Sequence, residues 1–346
     1  MTEALTSLGV PVASGLFVFA AVGVLVAGTR LTYLADAISE RFKLSKSLMG
    51  LLFLATATSL PEIATTFGAA LRESKELVLN NLYGGVALQT AILALADFWV
   101  RGSITYYPRR MNHLLEVVLL ILLLTFTLLI SLLDGLGHVA HVGLGSLFIG
   151  GAYASAIWFL RKQEANGDWQ PVDAPHDDDR QPNLLAPVSQ LSGRTLLLQT
   201  FTACFAVFLF GTLLVISAEA LSVSTDLGAG FVGATFLAAA TSLPELTTSI
   251  AAVRFGAYTL AISNIFGSNL IMLGLVLPAD FLFRPGPILA DPSATVVLSL
   301  AFGILVSAIY LVGLVVRKKP RIGPLGLDSA LVIVAFAASI FAYYHA

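Results

Sequence analysis

The chain has 346 residues, of which 57% are hydrophobic and 12% are charged, and its mean hydropathy is +0.87. Soluble domains carry about 25% charged residues, so this composition excludes an ordinary soluble protein and indicates an all-α polytopic membrane protein. The formal net charge of −2 gives no indication of a nucleic-acid partner. No nucleotide-binding loop is recognisable either, which argues against transport driven directly by a nucleotide.

Runs of about 20 apolar residues predict about ten transmembrane helices. In chain order the predicted spans are 13–39, 47–71, 76–99, 112–133, 139–160, 195–222, 228–254, 258–281, 293–316 and 325–344. The first run is longer than the core of a signal peptide and has no basic segment before it. We therefore expect it to stay in the mature protein as a spanning helix.

One long polar stretch, 161–194, separates the fifth span from the sixth. Its prolines, its glycines and the run "HDDD" are typical of a flexible linker. A regulatory ion site in this acidic loop is the alternative interpretation. The sequence thus predicts a first five-helix unit over 1–160, a linker over 161–194 and a second five-helix unit over 195–346.

The two units contain an internal repeat. The segment 28–98 aligns with 211–281 without a gap, and 25 of the 71 aligned positions are identical. Identity is densest where "ATSLPE" occurs at 57–62 and again at 240–245. Because each unit has five spans, the second copy enters the membrane from the opposite side. This inverted-topology repeat predicts a substrate site near the midplane, between the two copies.

Lysine and arginine predict the orientation. Fifteen of them fall on one set of loops and three on the other. The positive-inside rule then places the first set, which includes the linker 161–194, in the cytoplasm and both termini outside. We expect a multi-pass protein of a prokaryotic-type inner or plasma membrane.

Each copy of the repeat carries a carboxylate inside a predicted span, Glu62 in the first and Glu245 in the second. A charged side chain within a membrane costs about 2.5–3.5 kcal/mol on insertion scales, so it indicates a functional site. Symmetry would bring the two carboxylates face to face, where they repel one another unless cations or protons lie between them. Their charge matches one divalent cation, two monovalent cations or two protons.

Oxygen ligands surround both glutamates. Pro61 and Pro244 have no N–H, so they leave carbonyls in the preceding turn without a helical partner. Calcium takes 6–8 oxygen ligands in flexible geometry, and the absence of a cysteine or histidine cluster argues against zinc or copper. The further candidate oxygen ligands are the side chains of Thr58, Ser59, Thr241, Ser242, Asn81 and Asn264. The two asparagines, which match across the repeat, are open to a second interpretation as helix-packing residues.

The doubled "TSLPE" with "SNIFGSN" downstream resembles the two α-repeats of the calcium/cation antiporter superfamily, which includes the sodium/calcium exchangers. The resemblance covers 55–98 and 238–281. It implies that Glu62 and Glu245 bind calcium and that spans one and six move over a core of the other eight. It also implies calcium-binding carbonyls and sodium-binding oxygens at Thr58 and Thr241, and sodium-binding carbonyls at Ala55 and Ala238.

The sequence departs from that family on the helix after each repeat core. The family places a serine there and, four residues later, an asparagine or aspartate. Here these positions are Gly85 and Gln89 in the first repeat and Ser268 and Met272 in the second. Only Ser268 keeps the usual type, and we expect Gln89 to line the cavity. Two sodium ions or two protons per calcium ion are easier to reconcile with these residues than three sodium ions.

These observations predict a secondary antiporter, not an enzyme, that exchanges Ca²⁺ for Na⁺ or H⁺ by alternating access. They imply no cofactor, and inorganic cations and the lipid bilayer are the expected partners. One alternative is an antiporter of the same fold for Mn²⁺ or Mg²⁺. A cation channel and a non-transporting membrane protein that binds an ion are the others. The counter-ion, the stoichiometry and the oligomeric state stay open.

Other polar residues are expected at the ends of spans. Asp36 and Glu219 correspond across the repeat and suggest either interfacial solvation or a gate. Asp97 and Asp280 also correspond, and we expect them to face water or to cap a helix. The three histidines at span edges, His113, His138 and His141, are expected to be solvated.

Overall fold

The computed structural model describes residues 10–100, 102–108, 112–133, 137–165, 191–223, 238–317 and 320–346. Its α-helices are α1 Val10–Arg41, α2 Lys46–Leu48, α3 Ala55–Thr58, α4 Leu60–Leu71, α5 Lys75–Ala96, α6 Asn112–Ser131, α7 Leu144–Ala165, α8 Gly193–Val223, α9 Ala238–Thr241, α10 Leu243–Arg254, α11 Tyr258–Gly274, α12 Val276–Leu282, α13 Ala294–Val316 and α14 Leu327–His345. A π-helical turn, Met49–Leu54, joins α2 to α3, and 3₁₀ turns cover Asp97–Trp99 and Ile104–Tyr106.

Two small antiparallel hairpins complete the described structure. β1 (His138–Val139) pairs with β2 (Val142–Gly143), and β3 (Arg321–Ile322) pairs with β4 (Leu325–Gly326). The first hairpin occupies the start of the predicted span 139–160, so the helix of that span begins only at Leu144.

The predicted polytopic fold of about ten spans is confirmed. In the described part of the chain, eight helices are long and apolar enough to cross a membrane, and a ninth span is a helix pair between Lys46 and Leu71 that bends by 50°. The remaining predicted span, 228–254, begins outside the described residues, and its described part is α9 with α10.

The two halves share equivalent helices and strands, including some outside the segments 28–98 and 211–281 in which the sequences match. The helix pair α3 and α4 recurs in the second half as α9 and α10, with the same lengths. The same alignment, continued along the chain, places the hairpin of β1 and β2 on that of β3 and β4, strand for strand. Because equivalent spans are five positions apart in the order of spans, the second half has the inverted topology that the sequence predicts.

Prolines explain why the second span is broken. Pro61 and Pro244 occupy the first turns of α4 and α10, where the missing N–H is tolerated. The residues before these helices, Ser59 and Ser242, leave helical geometry with ψ angles of 7° and 4°. Each "TSLPE" segment is therefore a hinge between two helical pieces.

Helices α5 and α11 form the centre of the fold. Almost every side chain of α5 is buried, whereas the outward face of α1 exposes large apolar residues such as Phe19 and Leu25 to the lipid. α1 packs chiefly on α8, and this peripheral pair lies against α4 and α10. The arrangement gives a broad core with a two-helix layer beside the hinges.

Close backbone contact fixes α11 against the π-helical turn. A Cβ on Gly267 would lie 2.5 Å from the Leu51 carbonyl oxygen, and one on Gly50 would lie 2.7 Å from the Leu260 carbonyl oxygen. Only glycine fits at such separations. Gly267 of "SNIFGS" therefore permits the close approach of α11 to the π-helical turn.

Two aspartates at span ends are buried, so the first of the two alternatives given for them, that they face water, is wrong. Asp97 accepts hydrogen bonds from the backbone N–H of Ile104 at 2.6 Å and of Gly326 at 2.7 Å. Asp280 accepts them from Ile288 at 2.7 Å and from Gly143 at 2.8 Å. Each carboxylate therefore accepts a hydrogen bond from a backbone N–H of the hairpin in the other half. These hydrogen bonds replace the contacts with water that an exposed carboxylate would make.

Two more expectations of solvated side chains are wrong. Asp36 is buried, and its Oδ1 lies 3.0 Å from Lys46 Nζ, so an ion pair replaces water. The side chain of Glu219, its repeat counterpart, lies outside the described residues. His113 is buried beside Glu116, whereas His138 is exposed and His141 partly exposed.

Candidate ion-binding site

Glu62 and Glu245 lie in the first turns of α4 and α10, just after the hinges. Both are fully buried, and they are close enough to interact electrostatically. The structure thus brings together the two carboxylates that the repeat predicted to meet. A pair of buried negative charges calls for compensating positive charge between them.

Hydroxyl groups of both halves hold Glu245. Its Oε1 accepts hydrogen bonds from Ser59 Oγ and Ser268 Oγ, each at 3.2 Å, and the two hydroxyls are 3.1 Å apart. Ser59 belongs to the first repeat, whereas Ser268 and Glu245 belong to the second. This cluster of three oxygen-bearing side chains therefore joins the two halves at the site.

Glu62 has a different environment. Neither of its carboxylate oxygens makes a hydrogen bond to the part of the chain that the structure describes. Thr241 lies beside Glu62, as Thr58 lies beside Glu245, but a threonine has one proton to donate. Thr241 donates it to the Ala238 carbonyl at 3.1 Å. Glu62 is therefore left with open lone pairs in a buried position, which is the state that a cation or a proton satisfies.

Buried amides add further open groups. Among the described residues, Asn81 and Gln89 find no hydrogen-bond partner for either amide atom. Asn264 donates from Nδ2 to Thr248 Oγ1 at 3.0 Å, and its Oδ1 is left open. Asn81 and Gln89 lie on α5, which packs against α4, α9 and α10, while Asn264 lies on α11. Their oxygens are of the kind that calcium prefers.

The backbone carbonyls of the hinges differ in availability. The Ala55 carbonyl accepts from Ser59 N at 2.9 Å and from Thr58 Oγ1 at 3.2 Å, and Ala238 has the same two contacts with Ser242 and Thr241. The carbonyls of Ala57 and Ala240 face Pro61 and Pro244 one turn later, and these cannot donate. A cation at Ala55 or Ala238 would therefore replace a threonine hydroxyl. Ser242 Oγ, the repeat counterpart of Ser59 Oγ, has no partner among the described residues.

A second buried polar cluster was missed in the sequence. Glu116 Oε1 accepts from Ser47 Oγ at 3.2 Å and from Ser263 Oγ at 2.8 Å, and Oε2 lies 3.1 Å from His113 Nδ1. The cluster thus connects α2, α6 and α11 through side-chain hydrogen bonds, and Ser263 directly precedes Asn264 in the sequence. The signal was present, because Glu116 is an ionisable residue inside a predicted span, which is the criterion that selected Glu62 and Glu245.

The model of the sodium/calcium exchanger protein family matches residues 12–160 and 195–344. The chain belongs to this family. Among curated proteins, this exchanger-family chain is 25% identical to the inner membrane protein YrbG of Escherichia coli strain K12 over 286 residues, 82% of each chain. It is 26% identical to the putative antiporter CaxA of Alkalimonas amylolytica over 259 residues, 75% of this chain and 77% of that one.

Solved structures share the fold. Structures of the sodium-calcium exchanger NCX_Mj match 96% of this chain and 99% of theirs, with TM-scores of 0.69 and 0.70 and 20% sequence identity. The protein is therefore a multi-pass integral membrane protein of an ion-exchanger family, and its fold is that of NCX_Mj.

Proposed function

We propose that this protein is a secondary active antiporter that exchanges Ca²⁺ for Na⁺ or H⁺ at a midplane site built on Glu62 and Glu245. The observation that carries the proposal is the pairing of these two buried carboxylates at the hinges of an inverted repeat. Their charge of −2 is neutralised by one calcium ion or by two monovalent ions. The open oxygens around Glu62 supply further ligands.

Competition for the same two carboxylates is the coupling device. Calcium and the counter-ion cannot both neutralise Glu62 and Glu245, because simultaneous occupancy would leave excess positive charge in a site of low dielectric constant. One ion must therefore leave before the other binds. With sodium or proton gradients directed inward, the physiological direction is calcium export.

Alternating access requires one part of the protein to move past the hinges. The pair α1 and α8 is suited to this, since it packs on itself and lies against α4 and α10. A Cβ on Gly211 would overlap the ring of Pro61, and one on Gly28 would lie 3.2 Å from Thr247 Cγ2. These glycines keep the moving layer in close contact with both hinges.

The proposed ligand set contains the two glutamates, the hydroxyl groups and carbonyls of the hinges, and the polar residues of α5 and α11. These are Glu62, Glu245, Thr58, Thr241, Ser59, Ser242, Ala55, Ala238, Ser268, Gln89, Asn81 and Asn264. We also propose that the linker 161–194 is cytoplasmic and that both termini lie outside, on the distribution of lysine and arginine.

Transport in proteoliposomes tests the proposal. Radiolabelled calcium uptake is measured with an outward sodium gradient and, separately, with an outward proton gradient. We expect at least one gradient to drive uptake, and Glu62→Gln and Glu245→Gln to reduce it to background. Glu40→Gln is the matched control, because Glu40 is an exposed carboxylate at the end of α1. If neither gradient drives uptake, or if the two glutamate variants match Glu40→Gln, the proposal is wrong.

Competition experiments decide the divalent substrate. If Mn²⁺ or Mg²⁺ abolishes calcium uptake at concentrations below that of calcium and is itself taken up under the same gradient, the protein is an exchanger for that ion. Stimulation of calcium flux by the counter-ion on the opposite side is expected of an antiporter. A channel would not show it.

A further inference from the structure

The two halves of the site differ at two symmetry-related positions. Gly85 and Gln89 lie one turn apart on α5, and their counterparts in the second repeat are Ser268 and Met272 on α11. Residues four apart face the same way on a helix. A fully symmetric site would have the same chemistry at both pairs, and this one does not.

One carboxylate oxygen of Glu245 is held by hydroxyl groups, whereas its Oε2 has no partner among the described residues. Ser268 Oγ donates to Glu245 Oε1 at 3.2 Å and lies 3.1 Å from Ser59 Oγ. In the first repeat the equivalent position, Gly85, has no side chain. Glu62 and Ser242, the counterparts of Glu245 and Ser59, make no side-chain hydrogen bond to the described residues. With no hydroxyl at Gly85, Glu62 lacks the counterpart of the hydrogen bond that Ser268 donates to Glu245.

Met272 fills the space beside Gly85. Its side chain is fully buried, and its Cε lies 3.5 Å from the place where a Cβ on Gly85 would be. A thioether is a poor ligand for the hard cations that this oxygen-rich site suits. An apolar group therefore lies beside the position at which the second repeat offers a serine, and the first half of the site has fewer oxygen ligands.

We propose that Gly85 and Met272 determine the stoichiometry of exchange, because they remove one monovalent-cation subsite. The inference rests on the proposed antiport at Glu62 and Glu245. Two carboxylates balance two monovalent charges, and a third cation would add an uncompensated charge without the ligands that could hold it. The exchange is then electroneutral, with two monovalent ions for each calcium ion.

Membrane potential gives the test on the wild-type protein. Potassium and valinomycin set a potential of about 100 mV in either direction across proteoliposomes while the driving ion gradient is held constant. One net charge per cycle would change the equilibrium calcium ratio about 50-fold per 100 mV. We expect a change of less than twofold and a Hill coefficient near 2 for the monovalent ion. A potential-dependent ratio overturns the inference but leaves the antiport proposal intact, whereas absence of calcium transport defeats the antiport proposal itself.

A symmetrised variant assigns the effect to these residues. Gly85→Ser with Met272→Gln copies the residue types of the counterparts Ser268 and Gln89, and we expect its Hill coefficient to rise above that of the wild type. Gly151→Ser is the control, since a Cβ there meets no atom within 4 Å. If the double variant does not transport calcium, Gly85→Ser alone is measured instead. Its added Cβ would lie 3.5 Å from Met272 Cε, which is an ordinary van der Waals contact. A transporting variant with the wild-type Hill coefficient contradicts the role of Gly85 and Met272.

Discussion

Replacing Gly267 by alanine tests how tightly α11 is fixed to the π-helical turn. The added Cβ would lie 2.5 Å from the Leu51 carbonyl oxygen and 2.8 Å from Ala55 Cβ. Neither neighbour is the flexible end of a side chain, so the backbone must move. Overpacking of this kind costs about 1–3 kcal/mol, and alanine in a helix recovers about 0.5–1 kcal/mol relative to glycine. The difference predicts a net loss of about 0.5–2 kcal/mol of stability.

The displacement also reaches the site, because Leu51 and Ala55 precede the hinge that carries Thr58 and Ser59. We therefore expect Gly267→Ala to weaken calcium transport as well as to lower the apparent melting temperature by a few degrees. Gly151→Ala is the control, as its Cβ enters open space, and it should keep or raise the melting temperature. Equal melting temperatures for the two variants would refute the argument from close packing.

Three further predictions concern buried charges and are read as apparent melting temperatures in detergent. Glu116→Ala removes the carboxylate that Ser47, His113 and Ser263 contact, and it should lower the free energy of unfolding by about 3 kcal/mol or more. Glu116→Gln keeps one acceptor oxygen and should cost less than half of that. Equal losses of stability for the two variants would contradict the network. Lys46→Gln should destabilise more than Asp36→Asn, because it leaves a buried carboxylate unpaired, and the reverse order would contradict the ion pair. Asp280→Asn points an amide donor at a backbone N–H and should cost about 1–3 kcal/mol, while an unchanged melting temperature would contradict the contact.

Hydropathy and the repeat were sufficient to predict the spans and the meeting of Glu62 with Glu245. The spans follow from composition over about 20 residues, and the meeting of the two glutamates follows from the symmetry of the repeat. Composition and repeat can both be read from the sequence alone. The break at Pro61 and Pro244 was equally accessible, because the missing N–H of proline has the same effect in any helix.

Long-range contacts were not accessible in this way. Asp97 lies at a span end, where water is the ordinary partner, and only the folded chain shows that Gly326 approaches it from 229 residues away. His113 was misplaced for the same reason, since Ser263 approaches it only after α6 and α11 pack together. The sequence showed that Gly85 and Met272 are unusual residues at positions where the family has ligands. It did not show that the Met272 side chain lies beside Gly85.

The exchange of aspartate contacts between the halves has a consequence for biosynthesis. The carboxylate of Asp97 receives one of its two backbone donors, Gly326, only when the last hairpin has been made, 229 residues later. At about 5–20 residues per second this is roughly 10–45 s of translation. During that interval Asp97 has the N–H of Ile104 but still lacks that of Gly326. The hairpin of β3 and β4 thus completes a contact of the first half, and a chain truncated before Gly326 would leave Asp97 with the Ile104 donor alone.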